Sequence, residues 1–236
     1  MTDPLDPGPR RVGRQVIPRP DRVRPGAPPP WAELSPAERR FGLAELRDAF
    51  GRLGPPVRSP REGSVDRAAA VLAALYEHHD ELHVVLTRRA ADLRVHRGEV
   101  AFPGGRQDPG EDLWGTALRE AAEEVALDGS GVELLGELDH LSTVSSDSFI
   151  APYVAALPGR PELRPNPGEV DAVLHVPVRE LLDHEREERW WFGDRYHPIV
   201  FFDLVGDTVW GATAAMLRQL LGIGTGTLGR GDLGHD

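Results

Sequence analysis

Apolar and polar positions along the chain alternate between two periods, one of about two residues and one of about three and a half. Residues 68–76 and 82–87 are apolar segments joined by the polar stretch EHHDE at 77–81, which predicts a β-hairpin with His78 and His79 solvated in its turn. Further on, Trp114, Leu118, Ala121 and Val125 recur at helical spacing and predict a helix with one buried stripe. Residues 132–141 and 149–157 read as strands joined by the polar segment STVSSDS, and 158–168 reads as a loop. Residues 169–176 predict another strand, and 178–182 a short helix. The acidic run 183–188 predicts a solvated surface turn. A last hairpin is expected from 190–192 and 199–205. A C-terminal helix opens at Trp210-Gly211-Ala212-Thr213, with Met216, Leu217, Leu220 and Leu221 on its apolar face.

The ends break this pattern. Residues 1–30 are dense in proline and arginine, a composition that buries too little surface to offset the entropy of ordering, and they are expected to form a disordered tail. Within 31–64, Ser35-Pro36-Ala37-Glu38 has the form of a capped helix start, and 54–63 reads as a linker. The main domain is expected over 65–222. The glycine-rich stretch 223–236 is expected to fray.

At 236 residues the chain suits one substantial domain with tails. Its net charge of −11 argues against nucleic acid and against an anionic membrane surface as partners, since phosphate backbones are held by broad basic surfaces. Cysteine is absent, which removes disulfides, thiol nucleophiles and thiolate metal sites. The N-terminal residues lack the apolar core of a secretory signal, and the longest apolar run, 68–76, is too short to span a bilayer, so a cytoplasmic location is the expectation.

Charge is informative locally. On the predicted helix Glu120, Glu123 and Glu124 project side by side, because positions three and four apart share one arc. Such a trio is either a solvated acidic face or a seat for a hard divalent cation such as Mg²⁺ or Mn²⁺, which prefers oxygen ligands. Just upstream, Arg88, Arg89, Arg94, Arg97 and His96 concentrate positive charge in an otherwise acidic chain, where the planar arginine fork suits phosphate oxygens.

Phe102-Pro103-Gly104-Gly105, then Glu111, then Arg119-Glu120-Ala121-Ala122-Glu123-Glu124 have the order and spacing of the Nudix box, and the chain resembles the Nudix hydrolases. Ala126 stands where that family usually has a glycine that ends the helix, and Gly129 is the candidate to take over the turn. Leu86-Thr87, Arg89-Ala90, Arg94, Gly98 and the FPGG run resemble the extended pattern of the coenzyme A pyrophosphatase branch, with Val85 in place of the usual leucine.

The resemblance implies an α+β fold, a mixed β-sheet sandwiched between α-helices in α/β/α layers. It implies hydrolysis of the pyrophosphate of coenzyme A, with acyl-CoA also open, giving 4′-phosphopantetheine and adenosine 3′,5′-bisphosphate. Glu120, Glu123 and Glu124 would hold Mg²⁺ or Mn²⁺, joined by the Gly105 carbonyl and by Glu169 from outside the box. Arg119 would orient the carboxylates through Glu111, and Glu120 is the candidate base. Arg89, Arg94 and His96 would bind substrate. A Nudix hydrolase of ADP-ribose or a dinucleotide, and a non-catalytic nucleotide sensor, stay open as alternatives. The expected partner is a small-molecule nucleotide, with a homodimer as the open question of assembly.

Overall fold

The structure is a computed structural model that describes residues 11–12, 15–60, 62, 68–91, 93, 96–143 and 148–232. In chain order its elements are β1 (Arg11–Val12), β2 (Gln15–Val16), β3 (Val23–Pro25), α1 (Leu43–Arg52), β4 (Ala68–His78), β5 (Glu81–Arg89), β6 (Val100–Ala101), β7 (Gly104–Arg106) and α2 (Leu113–Val125). There follow β8 (Glu133–Glu137), β9 (Leu141–Thr143), β10 (Ser148–Ala156), β11 (Val170–Pro177), α3 (Val178–Asp183), β12 (Glu185–Phe192), β13 (Arg195–Leu204), β14 (Asp207–Trp210) and α4 (Gly211–Thr225). The central sheet runs β11-β5-β4-β10-β8, with the short strands β6, β7 and β9 pairing on β5, β4 and β10. It is mixed, because β10 lies parallel to β4 while the other pairs are antiparallel.

Helices cover both faces, as the family resemblance implied. On one face Ala117, Ala121 and Val125 of α2 pack on Ala70, Leu72, Ala74 and Val85. On the other, Leu46 and Phe50 of α1, Leu181 of α3 and Leu217, Leu220 and Leu221 of α4 close over Leu75, Val84 and Leu86. The stripe read from sequence is offset by a residue at its start: Ala121 and Val125 are fully buried with Ala117, while Trp114 and Leu118 flank the contact as partly buried residues. The 68–87 hairpin forms as expected, with its turn confined to His79 and Asp80.

Several expectations are corrected. Residues of the expected tail are ordered: Val23–Pro25 pairs antiparallel with β12, and Ile17 is buried against Trp190 and Phe201. Backbone pairing on an exposed sheet edge needs little apolar surface, so composition alone does not exclude it. Ser35 and Glu38 do exchange the hydrogen bonds of a capping box, but these close a turn, and α1 starts only at Leu43. The acidic run is no solvated turn. It enters β12, in the four-stranded antiparallel sheet β14-β13-β12-β3, where Glu187 meets Arg218 at 2.6 Å and Glu188 meets Arg19 at 2.9 Å. Nor is the C-terminal stretch frayed through 232. Thr227 N–H donates to Gly222 O, and Asp139 accepts from Gln219 and from the Gly231 N–H. Asp139 is 80 residues from Gln219 and 92 from Gly231, which is why local pattern missed those contacts.

Candidate active site

Helix α2 carries the acidic ridge, and its two ends fix the ridge in space. Asp112 caps the N-terminus, accepting from Gly115 N–H at 2.6 Å. At the C-terminus Ala126 itself adopts the left-handed conformation, φ 56° and ψ 36°, so Gly129 does not take over the exit. The loop before β11 then returns to this end: Arg164 N–H donates to Val125 O and Asn166 N–H to Glu124 O, which satisfies carbonyls a helix leaves without partners. Ala90 N–H donates to Glu169 O, so the same loop delivers Glu169 beside the ridge. Nothing in the sequence pattern flagged Asn166.

The four carboxylates are not equivalent. Glu124 is 3% exposed, and its Oε2 accepts from Gly104 N–H at 3.2 Å. Its Oε1 lies 3.6 Å from Arg89. Burial pushes its pKa up to about 7 against the opposing pull of Gly104 N–H and Arg89, and the charges of Glu120 and Glu169 push in the same direction as burial. Burial also raises Glu120, with Glu123 and Glu169 adding to the shift while Arg119 opposes it. Glu123 is exposed and turns to Arg119. Glu169 is exposed but is within electrostatic reach of both Glu120 and Glu124.

Arg119 organises this group. Its guanidinium donates to both oxygens of Glu111 at 3.0 and 3.2 Å, to Glu120 and Glu123 at 3.1 Å each, and to Arg106 O at 2.9 Å. Thr116 Oγ1 adds a 2.7 Å hydrogen bond to Glu111. Arg119 first and Thr116 second hold the Glu111 carboxyl down at about 2, so it stays ionised as the anchor of the guanidinium. Arg119 and Glu111 are thus joined by two hydrogen bonds. Thr116 was missed, because one threonine on a helix carries no sequence signal.

Gly105 sits where no side chain fits: a Cβ there would lie 2.5 Å from the Glu120 carboxylate. Its strand pairs with β4 (Gly105 opposite Ala70), so the backbone of β7 forms a wall of the carboxylate cleft. Of the basic residues, Arg88 is committed elsewhere, in a two-pronged ion pair with Asp207 of β14. Arg89 reaches the cleft. His96 is exposed, has positive φ and bonds to Glu99 at 2.9 Å. Arg94 lies outside the described residues.

The chain matches the NUDIX domain family over residues 66–196, more than half its length. It belongs to the Nudix family. Among its relatives, Nudix hydrolase 15, mitochondrial, of Arabidopsis thaliana is 34% identical over 78% of this chain and 68% of its own. The uncharacterized Nudix hydrolase NudL of Pectobacterium atrosepticum is 36% identical over 76% of this chain and 93% of its own. A MutT/nudix family protein from Enterococcus faecalis superposes with a TM-score of 0.46 at 18% identity, over 76% of this chain and 73% of that one. The chain is therefore a Nudix-type pyrophosphohydrolase, acting on a nucleotide pyrophosphate bond. Nudix enzymes as a family use divalent metal ions. Among the described residues no helix is long and apolar enough to cross a membrane.

Proposed function

We propose that the cleft between α2 and β7 hydrolyses the pyrophosphate of a nucleoside diphosphate linked to a second group, and that within this class coenzyme A is the substrate. The observation that carries the class is the acidic ridge beside the side-chain-free wall at Gly105, in which Glu124 is buried, Glu120 is partly buried, and burial raises the pKa of both with Glu169 within electrostatic reach. Crowded carboxylates of this kind are destabilised in isolation, and a hard cation relieves them. In the arrangement described, no three side chains converge on a ready-made cation position among the described residues. Glu120 and Glu123 face Arg119, and Glu124 faces Gly104 and Arg89. The donor set is all hard oxygen, the chemistry Mg²⁺ or Mn²⁺ prefers, and Glu120, Glu123, Glu124 and Glu169 with the Gly105 carbonyl would hold such an ion once their present contacts give way.

When bound, such a cation neutralises phosphate charge and lowers the pKa of a coordinated water. The protein's own residues do the rest. Arg119, tied to Glu111, holds Glu120 and Glu123 in register. The backbone of Gly105, free of a side chain, leaves the cleft open beside Glu120. Arg89 exchanges its contact with Glu124 for a substrate phosphate, with Arg94 and His96 as further phosphate partners. Glu120 is the candidate to take the proton of the attacking water.

Coenzyme A is supported by the run from Leu86 to Gly105 that resembles the coenzyme A branch. A second reading, ADP-ribose or a dinucleotide, is favoured by the commitment of Arg88 to Asp207, which leaves fewer free cations for a substrate with an extra phosphate. Coenzyme A, ADP-ribose and a dinucleotide assayed side by side with Mg²⁺ or Mn²⁺, with product identification, decide between them. A preference for coenzyme A of tenfold or more in kcat/KM supports the branch. An equal or reversed preference removes it, and failure to turn over any of the three with an intact fold favours the sensor.

A further inference from the structure

Glu169 comes to the cleft from outside α2, and the turn that presents it is held from two elements. On one side Arg164 N–H donates to Val125 O at 2.9 Å and Asn166 N–H to Glu124 O at 2.8 Å, which ties the chain to the last turn of α2. Asn166 O then accepts from Glu169 N–H at 3.0 Å and from Val170 N–H at 2.8 Å. On the other side Glu169 O accepts from Ala90 N–H at 2.8 Å, one residue beyond Arg89. Residues 166–170 therefore form a bracket between the end of α2, where Glu124 sits, and the end of β5, where Arg89 sits.

One side chain closes this bracket. Asn166 Oδ1 accepts from Gly168 N–H at 3.2 Å, the hydrogen bond of an Asx turn. Asn166 thus caps the single turn 167–169 much as an N-terminal cap residue serves a helix, its side chain and its carbonyl both turned to the N–H groups that follow. Proline stands on each side of it, at 165 and 167. Pro167 biases Asn166 to the extended backbone a cap requires, and it fills the first turn position, where a missing N–H leaves no bond unmade. Residues 164–169 are exposed, so water can satisfy Gly168 N–H if the side chain is removed, and no core packing is lost. The fold does not depend on the Asn166 side chain. The direction of Glu169 does.

We propose that Asn166 is a positioning residue for the hydrolysis, its side chain setting the turn that aims Glu169 into the cleft beside Glu124. This rests on the reading of Glu169 as an oxygen ligand of Mg²⁺ or Mn²⁺. Asn166 touches neither substrate nor cation and acts through Glu169 alone. Groups that orient a ligand from behind weaken the ion's hold when they are lost, even where the fold is unmoved.

The test is a double-mutant cycle on the full chain with Asn166→Ala, Glu169→Gln and the pair. It is read by Mn²⁺ titration in electron paramagnetic resonance, by kcat and KM separately, and by amide hydrogen exchange at Ala90. Asn166→Ala should lower Mn²⁺ affinity and kcat by about tenfold each, leave KM within about twofold, speed exchange at Ala90 and keep the thermal transition in place. Asn166→Asp, which keeps an acceptor for Gly168 N–H, should restore both losses. In the Glu169→Gln background Asn166→Ala should add no further loss. Full additivity there, no rescue by Asn166→Asp, or unchanged Mn²⁺ affinity and Ala90 exchange in Asn166→Ala overturns the positioning role while Glu169 keeps its own. Glu169→Gln by itself reports on the underlying reading: normal Mn²⁺ affinity and turnover in that variant removes Glu169 as a ligand, and the role of Asn166 falls with it.

Discussion

Glu124 on α2 and Glu185 on β12 are both buried carboxylates pushed up to about 7, and both have an arginine nitrogen 3.6 Å away. Burial is the first cause in each, and a neighbouring glutamate adds to it: Glu120 and Glu169 at Glu124, Glu187 at Glu185. By electrostatic signature alone the two are indistinguishable. Their surroundings separate them. Glu185 faces Arg218, which is held in turn by Glu187 at 2.6 Å, so carboxylates share a cation the protein already supplies. Glu124 shares its cleft with Glu120 and Glu169 beside a glycine backbone wall, and these three carboxylates face two guanidiniums, Arg89 at Glu124 and Arg119 at Glu120. Glu185 and Glu187, by contrast, have Arg218 and Arg189 one for one. The lesson is that a perturbed carboxylate marks a site when its neighbours leave a charge deficit, and marks structure when they do not.

The sharpest test of that distinction is Glu124→Gln. Turnover should fall by on the order of 10³ or more while the folding transition is unchanged or raised, because a neutral amide replaces a crowded buried charge. An active Glu124→Gln enzyme would remove the assigned role. Arg119→Ala comes next, with a loss of roughly 10² in kcat expected because Glu111, Glu120 and Glu123 lose their common donor; Arg119→Lys should restore only part, since one ammonium cannot reach all three. Gly105→Ala should cost about tenfold in kcat/KM by placing a methyl group against Glu120.

Glu185→Gln should leave kcat and KM within about twofold and act instead on stability. A carboxyl raised to about 7 in the fold from an ordinary 4.5 holds its proton longer folded than unfolded. Its contribution is therefore full below pH 4.5 and is lost as pH rises through about 7. Urea unfolding at pH 5 and pH 8 should show a decline in the parent that shrinks by about 1–3 kcal/mol in Glu185→Gln. If that variant instead loses activity as Glu124→Gln does, the comparison fails. The smallest effect is at the ridge's exit: Ala126→Gly should raise stability by about 1 kcal/mol, because glycine carries no penalty in the left-handed conformation that Ala126 now adopts.

The acidic ridge was legible because its residues are local. Glu120, Glu123 and Glu124 share a helical arc whatever the rest of the chain does, and the spacing of Gly105, Glu111 and Arg119 carries the family resemblance over a short span. The layers of the fold were legible through that resemblance, while alternation and helical period gave the individual strands and helices. Glu169 was readable only as a candidate, because its approach depends on the hydrogen bonds from Arg164 and Asn166 to the end of α2 and from Ala90 to Glu169 itself.

What the sequence determined by itself is therefore the ridge, its box, the 68–87 hairpin and the helix that carries the ridge. Tertiary structure alone decided that the acidic run 183–188 enters a strand neutralised by Arg19 and Arg218, that Arg88 is bound to Asp207 and withheld from the cleft, and that residues of the proline-rich start complete a sheet edge. The physical reason is common to all three. Periodicity encodes which side of an element is apolar, whereas the partner of a charge or of an edge strand is chosen by contacts between residues tens to hundreds of positions apart, for which no local pattern exists.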